Sequence, residues 1–239
     1  MLLVYCIMNR PMADRGILSG VKSSAVSFVD SGSLSAAVSE TPTQDAAPPV
    51  SDLLAYGRVV EALHRERTVI PMRYGCFVAG AAELRRMLLE KQPHYETLLT
   101  QLDGQVEMGI RVLLPESAQT PASGEQPVTG RDYLAMLRVR HGLSQDGARQ
   151  HTSLVDRFNQ AFAGLHSQYR TDAGQRGGRA VVSLYYLIPE KAVGRFRDAF
   201  AREVAAGGAR ALISGPWPPY SFVTSDLITT RGADSSGGR

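Results

Sequence analysis

The sequence predicts an α+β fold divided between two domains, and three observations predict it. Short runs of Val, Ile, Leu and Tyr, of strand length, are interleaved with stretches whose apolar residues recur at helical spacing. A loop-like stretch, Pro115–Gly130 (PESAQTPASGEQPVTG), interrupts the chain near its middle. After residue 104 the elements follow the order strand, helix, strand, helix, strand, strand. The length of 239 residues suits one large domain or two small ones. Apolar residues at 44% and charged residues at 21% are globular proportions, which exclude collagen, a coiled-coil rod and wholesale disorder.

In the first half, Leu2–Met8 (LLVYCIM) has the composition of a buried strand. Ser24–Val29 and Leu34–Ser39 flank Asp30-Ser31-Gly32-Ser33, a turn suited to a hairpin. Three prolines make Thr41–Val50 a loop, since each removes a backbone donor and fixes φ. Ser51 or Asp52 is then placed to cap a helix, because a side-chain oxygen there accepts from free amides of the first turn. Its apolar face is Leu53, Tyr56, Val59, Val60 and Leu63, with Arg58, Glu61, Arg65 and Glu66 left to solvent. Thr68–Ile70 is extended, and Pro71 biases Ile70 away from helix. Arg73–Val78 is a connecting strand or turn. Glu83–Leu102 is helical, kinked or split at Pro93 and stopped by Asp103-Gly104.

In the second half, Gln105–Leu114 alternates Val106, Met108, Ile110 and Val112 against Glu107 and Arg111, the pattern of a half-buried strand. A helical region is expected over 131–170, as one helix or a hairpin of two, with Leu154, Phe158, Phe162, Leu165 and Tyr169 on one stripe. Gly142 and Gly147 weaken it by about 1 kcal/mol each relative to Ala. Gly174–Gly178 is a turn. Ala180–Ile188 is so continuously apolar that burial on both faces is expected. Pro189 opens a helix whose face is Val193, Phe196, Phe200 and Val204, and Gly207-Gly208 ends it. Ala209–Ile213 and Ser221–Ile228 are the last strands. This order is close to the split β-α-β sandwich of ferredoxin type with an altered end. The expected division is an α+β domain over 1–103, a modified ferredoxin-like domain with a long helical insertion over 104–230, and a disordered tail over 231–239.

Composition also bounds the chemistry. Of the 26 basic residues only Lys22, Lys91 and Lys191 are lysines. Residues 1–130 carry a net charge of −3 and residues 131–210 a net +6, which predicts a modest basic face on the second half and no dense nucleic-acid stripe. Cys6 and Cys76 are too few for a disulfide framework or a zinc site and are expected as reduced thiols filling core volume. No signal peptide is expected from Met1–Met8, which lacks a basic flank. Ala211–Ser225, uncharged over 15 residues, contains Pro216, Pro218 and Pro219 and is no membrane helix, so a soluble intracellular protein is expected.

Reactive motifs are missing from the sequence. There is no G-x-S-x-G, and none of His64, His94, His141, His151 and His166 stand three or four apart. Gly174-Gln175-Arg176-Gly177-Gly178 precedes a strand, whereas a phosphate cradle follows one. No catalytic, cofactor-binding or metal-ligating residue is expected. Arg73-Tyr74-Gly75-Cys76-Phe77-Val78 partly echoes an RNA-recognition strand but falls outside the ferredoxin-like half; the alternative function is an RNA- or small-ligand-binding regulator built on that half.

The most distinctive stretch is Gly215-Pro216-Trp217-Pro218-Pro219-Tyr220-Ser221-Phe222, which holds the only Trp. Its prolines impose an extended backbone that cannot join a helix. Trp217, Tyr220 and Phe222 are therefore the candidate protein-interface residues. Two readings stay open: the rings lid the core at a strand crossover, or they form a preorganised contact for another protein.

This octapeptide resembles the C-terminal signature of the gas vesicle protein F/L family. In order along the chain, Val69-Ile70-Pro71-Met72-Arg73-Tyr74-Gly75 resembles the family's V-x-P-x-R-F-G. Leu102–Val112 resembles its L-x-G-x-x-E-x-x-V-K-V strand, and Tyr133-Leu134 and Tyr185-Tyr186-Leu187-Ile188 also fit. Departures are Tyr56 where relatives often have His, Tyr74 in place of Phe, and Gly142 and Gly147 within 131–170. The resemblance implies a non-enzymatic assembly or minor structural protein with a two-domain α+β fold and no cofactor. Its implied partners are the apolar shell subunit and other gas vesicle proteins, with neither nucleic acid nor membrane. Its implied location is the gas vesicle within the cytoplasm, the gas-facing side of the shell included.

Overall fold

The computed structural model describes residues 1–10, 18–41, 48–114, 145–176, 179–207 and 210–223. Two compact units emerge: Met1–Gln105 together with the chain from Trp217 onward, and Val106–Pro216.

In the first unit, strand β1 (Leu2–Asn9) is central. Strands β2 (Ser27–Ser31) and β3 (Leu34–Glu40) form the expected hairpin, turned at Gly32, whose φ of +58° is in the region that favours glycine. β3 pairs antiparallel with one side of β1. The other side takes β4 (Ile70–Pro71) and β5 (Phe77–Val78). The register of β1 on β3 shifts between Val4 and Cys6. This bulge resets the alternation, so Leu3 and Tyr5 share a face with Cys6 and Met8. Leu3 through Met8 are all buried, which requires cover on both faces of β1.

Helix α1 (Val50–Glu66) supplies one cover through Tyr56, Val59, Val60 and Leu63. Its N-cap lies two residues before Ser51, the earlier of the two expected caps: Pro49 is the N-cap and makes no side-chain cap bond. Ser51 and Asp52 stand inside the first turn instead, and Asp52 is buried where Leu53 was expected; Leu53 is 43% exposed. Helices α2 (Ala81–Glu90) and α3 (Gln92–Leu102) contact β2, β1 and β4. The split at Lys91 is the one Pro93 predicts, since proline is tolerated in a first turn, where its missing N–H is not needed. Gly104, at φ +62°, turns the chain out of α3.

The second unit contains β6 (Gln105–Leu113), α4 (Gln145–Ala161), β7 (Gln168–Arg176), β8 (Arg179–Pro189), α5 (Val193–Gly207) and β9 (Arg210–Trp217). The sheet order is β7-β8-β6-β9. The order β-α-β-β-α-β is that of the ferredoxin-like sandwich. The expected helix over 131–170 is corrected here: 131–144 lie outside the described residues, the helix ends at Ala161, and Gln168–Arg176 is a strand paired antiparallel with β8. Gly164, at φ +74°, breaks the helical stripe before Leu165 and Tyr169. Gly174 therefore lies in a strand, and the turn itself, 177–178, is outside the described residues.

The core of this unit is aromatic. Phe162 stacks on Phe196 at 4.1 Å and meets Tyr186 edge-on at 5.1 Å, with Phe158 5.9 Å away. The Tyr186 hydroxyl donates to Asn159 Oδ1 at 2.9 Å, so its polar end is satisfied. β8 buries Val182, Leu184, Tyr186 and Ile188 against these helices, while Val181, Ser183 and Tyr185 stay partly exposed. The expected burial on both faces thus holds only at Leu187. Pro189 leads into a short 3₁₀ turn, Glu190–Ala192, before α5 begins. Phe162→Ala is expected to cost about 3–5 kcal/mol, the usual range for emptying a buried phenylalanine site. Chemical denaturation checks this, and a loss below 1 kcal/mol would mean the ring is not the keystone of this core.

Candidate functional site

The segment 215–223 is the return of the chain from the second unit to the first. It starts at the end of β9, where Arg197 on α5 donates from Nη2 to the Gly215 carbonyl at 2.8 Å. Gly215 sits at φ +108°, which a residue with a Cβ rarely adopts, and the following Gly215–Pro216 bond is cis. Pro218 and Pro219 are buried. Tyr220–Phe222 then forms a single 3₁₀ turn, held by Tyr220 N–H on Pro218 O and Phe222 N–H on Pro219 O. The strand expected at Ser221–Ile228 is therefore a tight turn as far as Val223; 224–228 lie outside the described residues.

The three candidate rings are treated differently. Phe222 is 5% exposed and serves as core. Tyr220 is half-buried and packs on the α1-facing cluster of the first unit. Trp217 is 42% exposed. Only Trp217 is thus laid open, and its neighbours fix the backbone that carries it.

The cluster beneath Tyr220 is built by the bulge of β1. Tyr5 stacks on Tyr56 at 4.9 Å, and Tyr74 meets Tyr56 edge-on at 5.3 Å. The Tyr56 hydroxyl points at three carbonyls, Val4 and Met72 at 2.9 Å and Tyr5 at 3.2 Å, tying α1 to β1 and to the chain after β4. The Tyr5 hydroxyl shares a hydrogen bond with Ser39 Oγ at 2.8 Å and accepts from Val21 N–H at 2.9 Å. Burial holds the Tyr56 phenol well above its usual range, with Tyr220 adding to the effect. Burial also raises the Cys6 thiol and pushes Cys76 up to about 12; both are free thiols.

This packing also answers the RNA-like echo. Arg73–Cys76 forms a turn with Gly75 at φ +98°, and only Phe77–Val78 is strand. Tyr74 and Phe77 lie 6.4 Å apart and both join the inward cluster, so they offer no stacking platform. Among the described residues no three His, Cys, Asp or Glu side chains come together as metal ligands. Of the histidines, His166 meets the Phe162 carbonyl through Nδ1 at 3.0 Å, and His141 lies outside the described residues.

Comparison with known proteins bears directly on this segment. The family model for "Gas vesicle synthesis protein GvpL/GvpF" matches residues 1–224, so it takes in the whole of 215–223. The chain belongs to the GvpL/GvpF family. A gas vesicle protein L from a Streptomyces species is 29% identical, over 70% of this chain and 67% of the relative. Gas vesicle protein F1 of Halobacterium salinarum is 28% identical, over 93% of this chain and 92% of the relative. The fold is shared with the crystal structure of GvpF from Microcystis aeruginosa, at a TM-score of 0.74 and 14% identity, covering 93% of this chain and 98% of the other. It is shared likewise with GvpF from an Anabaena species, at a TM-score of 0.75 and 18% identity, covering 93% and 95%. Both confirm the mixed α and β architecture. As a GvpL/GvpF member the chain has a gas vesicle related role, and among its described residues no helix is long and apolar enough to cross a membrane.

Two things escaped the sequence. Arg197 anchors Gly215 although nothing in a charged helix singles it out, and Phe222 looked as presentable as Trp217. Two measurements follow from this geometry. Phe222→Ala should cost about 3–5 kcal/mol in a denaturation experiment, and Trp217→Ala distinctly less; equal losses would mean that both rings are core. In the alkaline range, the folded state keeps Cys76 and Tyr56 neutral where the unfolded chain ionises. The Cys76 contribution is complete below a thiol's ordinary 9.0 and fades as pH rises toward about 12, and that of Tyr56 fades at higher pH in the same sense. The thermal midpoint is expected to fall steadily above pH 9, with a shallower fall in Cys76→Ala.

Proposed function

We propose that this chain assists nucleation or growth of the gas vesicle shell by direct contact with the shell subunit and other gas vesicle proteins. The observation that carries this reading is Trp217, the only tryptophan, left 42% exposed just before a backbone held by two buried prolines and a buried Phe222. Large rings on preorganised backbones are the side chains that most often dominate protein–protein affinity, because little entropy is lost when they dock. Tyr220 and Phe222 support that contact from beneath.

On this reading the chain works without turnover and without a cofactor. An apolar shell subunit aggregates when unpartnered, and an assembly factor must offer it apolar surface before the shell does. The proposed position is at the vesicle, on the gas-facing side of its wall, where an outward apolar ring costs least. Deleting the gene in a vesicle-forming host is expected to leave few or misshapen vesicles. Re-expression of the parent chain should restore them, and re-expression of a folded Trp217→Ala chain should not. Normal vesicles in the deletion strain would refute the reading.

A further inference from the structure

Helices α4 and α5 both cover the same face of the second sheet, the one bearing Val106, Met108, Ile110, Val112, Val182, Leu184 and Tyr186. The opposite face carries the alternate residues. On β6 these are Gln105, Glu107, Gly109, Arg111 and Leu113, with Glu107 and Gly109 buried; on β8 they are Val181, Ser183 and Tyr185. On β9, Ala211 and Ile213 pack toward the helices, so Arg210, Leu212 and Ser214 point the other way. A Cβ on Gly109 would meet Ser214 Oγ at 2.9 Å and Tyr185 Cδ1 at 3.9 Å, which brings these three strands together on one surface.

Glu107, Gly109 and Leu187 on this face are buried, and the part around Arg111, Leu113, Arg210 and Leu212 is open. Leu212 is 75% exposed and Leu113 38%. Val181 and Tyr185 beside them are only partly covered. Arg111 and Arg210 stand exposed among these side chains, and no carboxylate occupies an exposed position on the face side of β6 or β9. The acids of the face are Glu107, buried on β6 two residues before Gly109, and Asp172, exposed on the edge strand β7 opposite Ser183; Arg170 precedes Asp172 opposite Tyr185. Leu212 also lies on the edge strand β9, whose uncharged run from Ala211 to Trp217 lacks the charges that usually protect an edge; β7 carries them.

We propose that this open face docks an apolar segment bearing carboxylates, supplied by another gas vesicle protein. The leucines and Val181 receive its apolar side chains, and Arg111 and Arg210 pair with its acids. Charge complementarity selects this occupant. Aliphatic side chains with a single ring, Tyr185, make a poor base-stacking platform, which disfavours nucleic acid. The inference rests on the protein-contact reading above and adds a second surface, distinct from Trp217, with a stated partner chemistry.

The test places a photo-crosslinking amino acid at Leu212 in the full chain, in a vesicle-forming host lacking the native copy. Peptide mapping of the adduct is expected to locate it on a carboxylate-bearing apolar segment of a gas vesicle protein. Arg111→Glu with Arg210→Glu should lower adduct yield about tenfold, as when attraction becomes repulsion. Arg111→Lys with Arg210→Lys should keep most of it. A matched thermal midpoint establishes that the reversed chain is folded; should it not be, Arg111→Gln with Arg210→Gln must give an intermediate loss. Adducts to RNA only, adducts to segments without acids, a yield indifferent to charge reversal, or no adduct at all would each overturn the proposal. If the deletion strain still needs this chain and Trp217 while Leu212 gives no adduct, the second surface fails and the contact at Trp217 stands.

Discussion

The burial of four residues, Pro218, Pro219, Phe222 and Val223, is the constraint on which the displayed surface depends. A chain leaving β9 has no helix or ladder to hold it once prolines have removed the backbone donors. Burial of apolar rings and side chains replaces those bonds, at roughly 1.5–3 kcal/mol for each large side chain removed from water. At the near end the Arg197 guanidinium fixes Gly215 through one charge-assisted hydrogen bond. Within the first unit, the buried prolines and Phe222 hold the backbone that directly follows Trp217.

The first unit supplies a stiff base for that segment. Its stiffness comes from a one-residue irregularity: the bulge of β1 brings Tyr5 and Cys6 to the same face, where α1 closes over them. Tyr56 then has carbonyls within reach from two parts of the chain, β1 and Met72. Its single proton cannot satisfy three acceptors at once, so its value lies in fixing position as much as in strength. Tyr220 packs on this cluster, which links the sequence-distant return segment to the residues of β1. The second unit is built differently, on stacked rings between helices, and leaves part of its other sheet face, around Leu113 and Leu212, exposed.

Legibility followed the strength of local chemistry. The β2–β3 hairpin, the split at Pro93 and the strand at Gln105–Leu113 were readable because glycine, proline and strict alternation each have one dominant conformational consequence. β7 was not readable. Its sequence, QYRTDAGQR, is polar because it is an edge, and an edge strand is specified by its partner β8 more than by its own pattern. The stripe Leu154–Phe158–Phe162 continued in register into Leu165 and Tyr169, and only Gly164 marks the end. At the site, the rigidity of 215–222 was legible from its prolines. Which ring faces outward was not, because both flank the same prolines in sequence, and only the structure puts Trp217 at the end of β9 and Phe222 inside the buried 3₁₀ turn. The alternation of β9 was equally hidden: both of its faces carry apolar residues, so no pattern separates Ile213, which packs inward, from Leu212, which does not.

The central claim is that an outward-facing ring at Trp217 becomes covered when the protein meets its sister proteins. Because the chain contains one tryptophan, its fluorescence reports on that ring alone. Acrylamide quenching of the free chain, and of the chain assembled with the other gas vesicle proteins, measures the claim directly. The account predicts red-shifted, readily quenched emission in the free chain and blue-shifted, protected emission on assembly. Emission already protected in the free chain, or equally exposed in both states, would contradict it.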